Sequence, residues 1–242
     1  MTMRVLILGA GQVAGSDGPP VLLAEQNGEL LVERFVRLLQ GLQAKLVFIV
    51  RAEDQKRLHI DNVIKLAAPD AEVVLVGAET GGAACTALLA IEHFDMDDEL
   101  LILASNELLE IDYKDTIDGF RARNLDAATV VFPSLHPRYS YVALDADGYI
   151  IEAAEKRPIS RLATAGFYWF RRGAEFVAAA QEMMRKDAQV DGRFYISLTL
   201  NQFVLWQKKL GVREVESRQY QPLKSRHQIS IYEGETHMES AP

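Results

Sequence analysis

The sequence contains a single cysteine and lacks both long apolar stretches and runs of basic residues. Because Cys85 is alone among 242 residues, no disulfide can form within the chain, and its apolar neighbours predict a buried structural thiol. The apolar run Val5–Leu8 is too short for the core of a signal peptide, and no stretch approaches the length of a membrane span. We therefore expect a soluble, cytoplasmic protein that does not bind a membrane.

The charge balance is acidic, and several common site patterns are missing. Asp and Glu number 34 against 26 Lys and Arg, which gives a formal net charge of -8 and makes nucleic acid an unsuitable partner. The five histidines are scattered without metal-ligand spacing, so a zinc site is not expected. Neither a nucleophile elbow nor a Walker A sequence occurs. A small anionic ligand in a local pocket remains compatible with this composition.

Short apolar runs alternate with helical patterns from the N-terminus to Phe132. The predicted strands are Val5–Leu8, Lys45–Val50, Val73–Val76, Leu100–Leu103 and Ala128–Phe132. The predicted helices are Leu30–Leu42, Glu53–Leu66, Ala83–Phe94 and Tyr113–Arg123. The alternation predicts βαβ units around a parallel sheet, because strands that are apolar on both faces need helices on both sides.

The pattern changes in the second half of the chain. Three predicted strands lack intervening helices, and they are Tyr139–Leu144, Tyr149–Ala154 and Ala165–Phe170. Two predicted helices and a strand follow, at Ala174–Met184, Ser197–Lys208 and Val212–Val215. We therefore predict an α/β fold with a mostly parallel central sheet and an antiparallel C-terminal part. One domain is expected over residues 1–232, and a flexible tail over residues 233–242.

Glycines follow the first and third predicted strands. In an open parallel sheet, ligands bind beyond the carboxyl ends of the strands, where glycines let backbone N–H groups approach phosphate. A glycine pair before a helix also leaves room for a base or a sugar. The candidate nucleotide-binding residues are Gly9, Ala10, Gly11, Thr80, Gly81 and Gly82. The alternatives are an ordinary glycine turn and capping of the helix by Thr80.

Charged residues follow the fourth strand and the second hairpin strand. Glu107 is placed to hold a divalent cation, although one carboxylate alone is a weak metal site. Glu155 and Lys156 can bind a hydroxyl and a phosphate of an acceptor, respectively. The alternative for this second group is a surface ion pair of little consequence.

Eight segments occur together in a characteristic order. They are Val5-Leu-Ile-Leu-Gly-Ala-Gly11, Pro20-x-Leu-Leu-x-Glu-x-x-Gly28, Gly81-Gly-Ala-Ala-x-Thr86, Leu101-Ile-x-Ala-Ser-Asn-Glu107, His136-Pro-Arg-Tyr-Ser-Tyr141, Glu155-Lys-x-Pro-Ile-Ser160, Ala163-Thr-Ala-Gly-x-Tyr168 and Phe194-Tyr-Ile-Ser197. Over about residues 3–232 the chain resembles the sugar-phosphate nucleotidyltransferases, especially the branch of capsule and surface-polysaccharide gene clusters.

The resemblance implies a Rossmann-like, GT-A-type fold that binds a nucleoside triphosphate and a phosphorylated sugar or similar small acceptor. It implies nucleotide binding by Asn106, acceptor binding by Glu155, Lys156 and Gly166, and catalytic roles for Glu107 and Lys156. Glu107 corresponds to the metal-binding aspartate of the family, so Mg²⁺ is the implied cofactor. A homo-oligomer is compatible with the resemblance.

The sequence also departs from the family pattern at cationic and acidic positions. Residues 12–17 contain no arginine, and Val21 follows Pro20 where the family usually has lysine. Near residues 194–201, where many members carry a second metal-binding aspartate, only Thr199 and its neighbours are found. Slow or specialised transfer is therefore expected.

Three functions remain open from the sequence. Nucleotidyl transfer is favoured, and a catalytically impaired nucleotide- or sugar-binding relative, for example a regulatory partner, is the alternative. A GT-A glycosyltransferase ranks last, because that reaction usually needs an Asp-x-Asp where this chain has Ser105-Asn106-Glu107.

Overall fold

The computed structural model describes residues 2–11 and 18–234. The strands are β1 (Met3–Leu8), β2 (Glu25–Gln26), β3 (Glu29–Leu30), β4 (Ala44–Arg51), β5 (Glu72–Val76), β6 (Glu99–Ala104), β7 (Glu107–Leu109), β8 (Ala127–Pro133), β9 (Ser140–Leu144), β10 (Ile150–Glu155), β11 (Leu162–Phe170), β12 (Leu210–Glu214) and β13 (Tyr220–Pro222). The α-helices are α1 (Leu31–Leu39), α2 (Ala52–Leu58), α3 (Ile60–Ala67), α4 (Ala83–Leu88), α5 (Tyr113–Ala122), α6 (Gly173–Arg185), α7 (Ile196–Leu205) and α8 (Arg226–Glu233).

A parallel group of four strands forms one side of the central sheet. The order is β6-β1-β4-β5, and all three neighbouring pairs are parallel. Successive residues of β1 enter opposite cores: Val5 and Ile7 pack with α1, α3 and α5, whereas Leu6 packs with α4, α6 and α7. This burial on both faces explains the continuous apolar runs and confirms the predicted parallel sheet.

The antiparallel part joins this group through β11. Strand β11 pairs antiparallel with β6 and with β8, and β9 and β10 form a hairpin beyond it. The register of β11 against β8 shifts between Thr164 and Tyr168, and Gly166 in this interval has φ +65°. The predicted antiparallel part is confirmed, although β12 pairs with β8 in parallel.

Two predicted helices are interrupted. The helix expected over Glu53–Leu66 is divided into α2 and α3 by His59, which has φ 49° and therefore lies in the left-handed region. The helix expected over Ala83–Phe94 ends at Leu88, and a 3-10 turn follows at Ile91–His93.

The C-terminal segment was not predicted from the sequence and returns to the middle of the chain. Strand β13 pairs antiparallel with β7, so Pro222 lies opposite Glu107. Helix α8 follows and ends at Glu233, the first residue of the predicted tail, while residues 235–242 lie outside the described residues. Among the residues that the structure describes, no helix is long and apolar enough to cross a membrane.

Candidate functional site

A cleft lies at the carboxyl ends of β1 and β6 and consists of two adjoining pockets. The larger half has a volume of about 520 Å³ and the smaller half about 330 Å³. Both are lined by the last residues of the two strands, Leu8 and Ala104, and by Ala83 and Asn106. The position agrees with the rule that open parallel sheets bind ligands beyond the carboxyl ends of their strands.

Of the nucleotide-binding residues predicted after β1 and β6, some line the larger half and one does not. Ala10, Gly11 and Asn106 line it, and a Cβ at Gly11 would meet no atom within 4 Å, so this wall is open. Gly9 lies behind the wall, where its N–H donates to the Ile49 carbonyl at 2.7 Å. A Cβ at Gly9 would lie 2.8 Å from Leu22 Cδ1, so packing accounts for this glycine.

The glycine pair before α4 is held by the main chain of Phe194. Gly82 lines the larger half with φ +122°, and a Cβ there would lie 2.5 Å from the Phe194 carbonyl oxygen. The Phe194 N–H donates to the Gly81 carbonyl at 2.8 Å, and Gly81 lies outside the set of lining residues. The close approach of one backbone to another therefore requires glycine at position 82, whether or not a base lies beside it.

Thr80 lines the larger half but does not cap α4. The N-cap of α4 is Gly82, with no side-chain hydrogen bond to the helix. The Thr80 hydroxyl lies 2.6 Å from the Thr86 hydroxyl, which also donates to the Gly82 carbonyl. The capping alternative is therefore wrong, because the hydroxyl binds the glycine turn rather than the first N–H groups of the helix.

The described cations of the larger half are already paired. Arg51 makes two hydrogen bonds of 2.7 Å to Asp54, and Arg193 pairs with Glu79. Val21, at the position where the resemblance expects lysine, lines this half and is 5% exposed. Residues 12–17, where the family arginine is expected, lie outside the described residues. Among the described residues, both arginines that line the larger half are therefore already neutralised by a carboxylate.

Glu155 belongs to the smaller half and is buried. Its Oε2 accepts hydrogen bonds from the hydroxyls of Ser140 and Ser197, the latter at 3.0 Å. Burial raises the pKa of Glu155 above the ordinary glutamate value, and the two serine hydrogen bonds oppose that shift. The surface ion-pair alternative is therefore wrong for this residue, because its partners are hydroxyls inside the cleft.

Lys156 also lines the smaller half, with a different set of partners. Its Nζ lies 2.7 Å from Asp191 Oδ2 and 5.6 Å from the centre of the Tyr195 ring. The hydrogen bond to Asp191 raises the pKa of Lys156, so the amine is charged at neutral pH. Its φ of 54° is held by a hydrogen bond from its N–H to the Tyr139 carbonyl.

Gly166 makes room for Glu107. A Cβ at Gly166 would lie 2.9 Å from the Ala104 Cβ and 3.0 Å from the Glu107 carboxyl carbon. Both residues line the smaller half. The bend of β11 at Gly166 therefore lets the Glu107 side chain lie directly against the sheet, and the structure brings these two predicted site residues together.

Both carboxylate oxygens of Glu107 are engaged. Oε1 lies 2.5 Å from Lys224 Nζ, and Oε2 accepts a hydrogen bond of 2.9 Å from the Tyr220 hydroxyl. Burial and the Glu107 charge raise the pKa of Tyr220, so the hydroxyl remains a donor. No group of three metal-ligating side chains occurs within residues 2–11 and 18–234. Mg²⁺ at Glu107 stays a prediction, but this arrangement does not fit a resident divalent cation.

Two cations of the smaller half were missed as site residues by the sequence analysis. Arg138 lines this half and lies in the segment His136–Tyr141, which is part of the family resemblance, so the sequence did contain a signal for it. Lys224 lies in the unpredicted C-terminal segment, and no local pattern indicated that it reaches Glu107.

Comparison with known proteins then decides the family. The family model described as nucleotidyl transferase matches residues 18–193, well over half of the chain. The chain belongs to this nucleotidyl transferase family. A comparison with curated proteins gave no match.

Solved structures of nucleotidyltransferases share the fold. A nucleoside-diphosphate-sugar pyrophosphorylase from Vibrio cholerae RC9 has a TM-score of 0.79 and 18% identity, covering 96% of this chain and 99% of its own. A Bacillus anthracis protein assigned as a glucose-1-phosphate thymidylyltransferase, solved with sucrose, has a TM-score of 0.74 and 15% identity, with coverages of 100% and 98%. A UDP-glucose pyrophosphorylase complexed with UDP-glucose has a TM-score of 0.77 and 11% identity, with coverages of 97% and 98%. The predicted Rossmann-like, GT-A-type fold is therefore confirmed.

Proposed function

We propose that this family member transfers a nucleotidyl group from a nucleoside triphosphate to a phosphorylated sugar or a similar small acceptor. An oxygen of the acceptor phosphate attacks the α-phosphorus, the bond from that phosphorus to the β-phosphate oxygen breaks, and pyrophosphate leaves. The observation that carries the proposal is the divided cleft, whose two halves meet at Asn106. The transfer needs its two substrates to be held next to each other, one on each side of Asn106, so that their phosphates can meet.

The larger half suits the nucleotide. Its volume of about 520 Å³ is in the ordinary range for small-molecule sites. The open backbone at Ala10 and Gly11 can approach phosphate, while Thr80 and Gly82 form the wall on which a base and ribose would lie. Asn106 lines both halves and would contact the reacting phosphate.

The smaller half suits the phosphorylated acceptor. Glu155, held by Ser140 and Ser197, offers an acceptor oxygen to a sugar hydroxyl. Lys156 and Arg138 offer positive charge to the phosphate. Gly166 lies against Glu107 in the same half, and Asn106 lines the side on which the acceptor phosphate would meet the nucleotide.

The test is pyrophosphate release by the full chain, measured for each common nucleoside triphosphate against a panel of sugar 1-phosphates. We expect turnover with at least one pair. Arg138→Ala should raise the KM for the acceptor about ten- to hundredfold, the usual cost of losing a charge-assisted hydrogen bond. The matched control is Arg157→Ala, which removes an exposed arginine paired with Glu152 outside the smaller half.

Two results would count against the proposal. Nucleotide binding without turnover for any pair would favour the catalytically impaired binding relative. Equal KM values for Arg138→Ala and Arg157→Ala would remove Arg138 from the acceptor site.

The product of the proposed reaction is a nucleotide sugar, which would be made before the polysaccharide is assembled. A nucleotide sugar is an activated donor, so we propose that it is consumed by a glycosyl-transfer step in surface-polysaccharide precursor synthesis, in the cytoplasm. The acidic net charge of -8 argues against nucleic acid as a partner. A homo-oligomer in which a second copy adds a cation to the cleft belongs to the same proposal.

A further inference from the structure

Lys224 and Glu107 form an ion pair inside the cleft that the family resemblance does not account for. The two side chains are 25% and 8% exposed, respectively, and both line the smaller half. Tyr220 holds the second oxygen of the same carboxylate. Any divalent cation bound by Glu107 would have to displace an ammonium group that is already there.

The backbone fixes this lysine before any ligand arrives. The pairing of β13 with β7 sets Pro222 opposite Glu107, and the Leu223 N–H donates to the Asn106 carbonyl at 2.9 Å. The Lys224 N–H donates to Gln228 Oε1 at 3.0 Å, and its Nζ lies 5.1 Å from the centre of the Tyr139 ring. The ammonium is therefore preorganised next to the junction of the two halves.

We propose that Lys224 is a resident cation of the active site, which binds phosphate oxygens at the junction of the two halves and takes the place of a divalent cation at Glu107. An ammonium group has three N–H donors, and the Glu107 bond uses one of them. A fixed cation stabilises developing phosphate charge without reorganisation. The proposal rests on the proposed function for its substrates, whereas the binding of phosphate groups can be measured separately.

The first measurement is binding of inorganic pyrophosphate to the full chain by calorimetry, in EDTA and in Mg²⁺. We expect wild type to bind in EDTA, and Lys224→Met to lose about ten- to hundredfold in affinity there. Because Lys224→Met frees Glu107, Mg²⁺ should restore part of the affinity of this variant. Lys224→Arg should retain most of the binding, since it keeps the charge.

Two further variants keep the test decisive. Lys114→Met is the matched control, because Lys114 forms a lysine–carboxylate pair with Asp118 at the same 2.5 Å but outside the cleft. If Lys224→Met does not fold, the double variant Glu107→Gln/Lys224→Met removes both charges together and should show the same loss in EDTA without rescue by Mg²⁺. Each variant is checked for folding by circular dichroism.

The outcomes separate this inference from the proposed function. Unchanged pyrophosphate affinity in Lys224→Met, or wild-type binding that disappears in EDTA, overturns the role of Lys224 even when turnover is normal. Affinity that depends on Lys224 supports the inference even when no substrate pair gives turnover, and in that case only the transfer reaction is rejected.

Discussion

At the scale of single residues, Gly82 is the position where backbone geometry decides the side chain. Its φ of 122° and ψ of 177° lie in a region that is essentially restricted to glycine. The Phe194 main chain also occupies the space of a Cβ. The fold therefore requires glycine at position 82, and the wall of the cleft before α4 carries no side chain there.

We expect Gly82→Ala to destabilise the protein by at least about 1–3 kcal/mol from backbone strain alone. The control is Gly11→Ala, where a Cβ meets no atom within 4 Å and the change should stay within about 0.5 kcal/mol. Urea denaturation of the three proteins measures the difference. Equal denaturation midpoints for Gly82→Ala and wild type would show that neither the backbone conformation nor the Phe194 contact disfavours a Cβ at position 82.

Glu107 shows what the sequence could and could not reveal about a single residue. The site after the fourth strand was predicted from position, because parallel strands bring their carboxyl ends to one edge. The partners of Glu107 could not be predicted, since Tyr220 lies 113 positions further along the chain. Only tertiary structure brings them together.

At the scale of elements, periodicity predicted the central strands well and helix interruptions poorly. Strands such as β4 and β6 carry unbroken apolar runs that only a sheet covered on both faces can bury. By contrast, residues Glu53–Leu66 keep a helical repeat through His59, although the backbone turns there. Short pairs such as β7 and β13 have no local signature, because they depend on each other.

The break between α2 and α3 can be tested through His59. This exposed residue has φ 49°, a conformation that costs a non-glycine residue roughly 1–2 kcal/mol. We expect His59→Gly to stabilise the protein by about 1 kcal/mol and His59→Ile to destabilise it, because β-branched residues resist the left-handed region. Thermal or urea denaturation measures both. Destabilisation by glycine would mean that the two segments prefer one continuous helix.

At the scale of the whole molecule, the cleft combines parts from nearly the full length of the chain. The larger half draws on residues from Leu8 to Arg193, and the smaller half extends to Lys224 in the C-terminal segment. The smaller half has three cations, of which Lys156 and Lys224 are paired with acids and Arg138 is the third. The larger half has two among its described residues, Arg51 and Arg193, and both are paired with acids. In the proposed reaction, charge neutralisation of the triphosphate in the larger half is therefore the expected weak point.

Val21→Lys tests this imbalance. Val21 lies in the 3-10 turn Val21–Leu23 and lines the larger half, so a lysine there can extend its amine into the cleft along its apolar stem. Losing one preorganised donor of this kind typically costs about a hundred- to thousandfold in rate, so restoring it should raise kcat at least about tenfold.

Val21→Met is the control for side-chain length without charge. The measurement is pyrophosphate release at saturating substrates, with urea denaturation to record the cost of placing an amine at a buried position. Equal kcat values for the lysine and methionine variants would mean that Lys224 or another cation already supplies the charge, and that the absence of the family lysine does not limit the reaction.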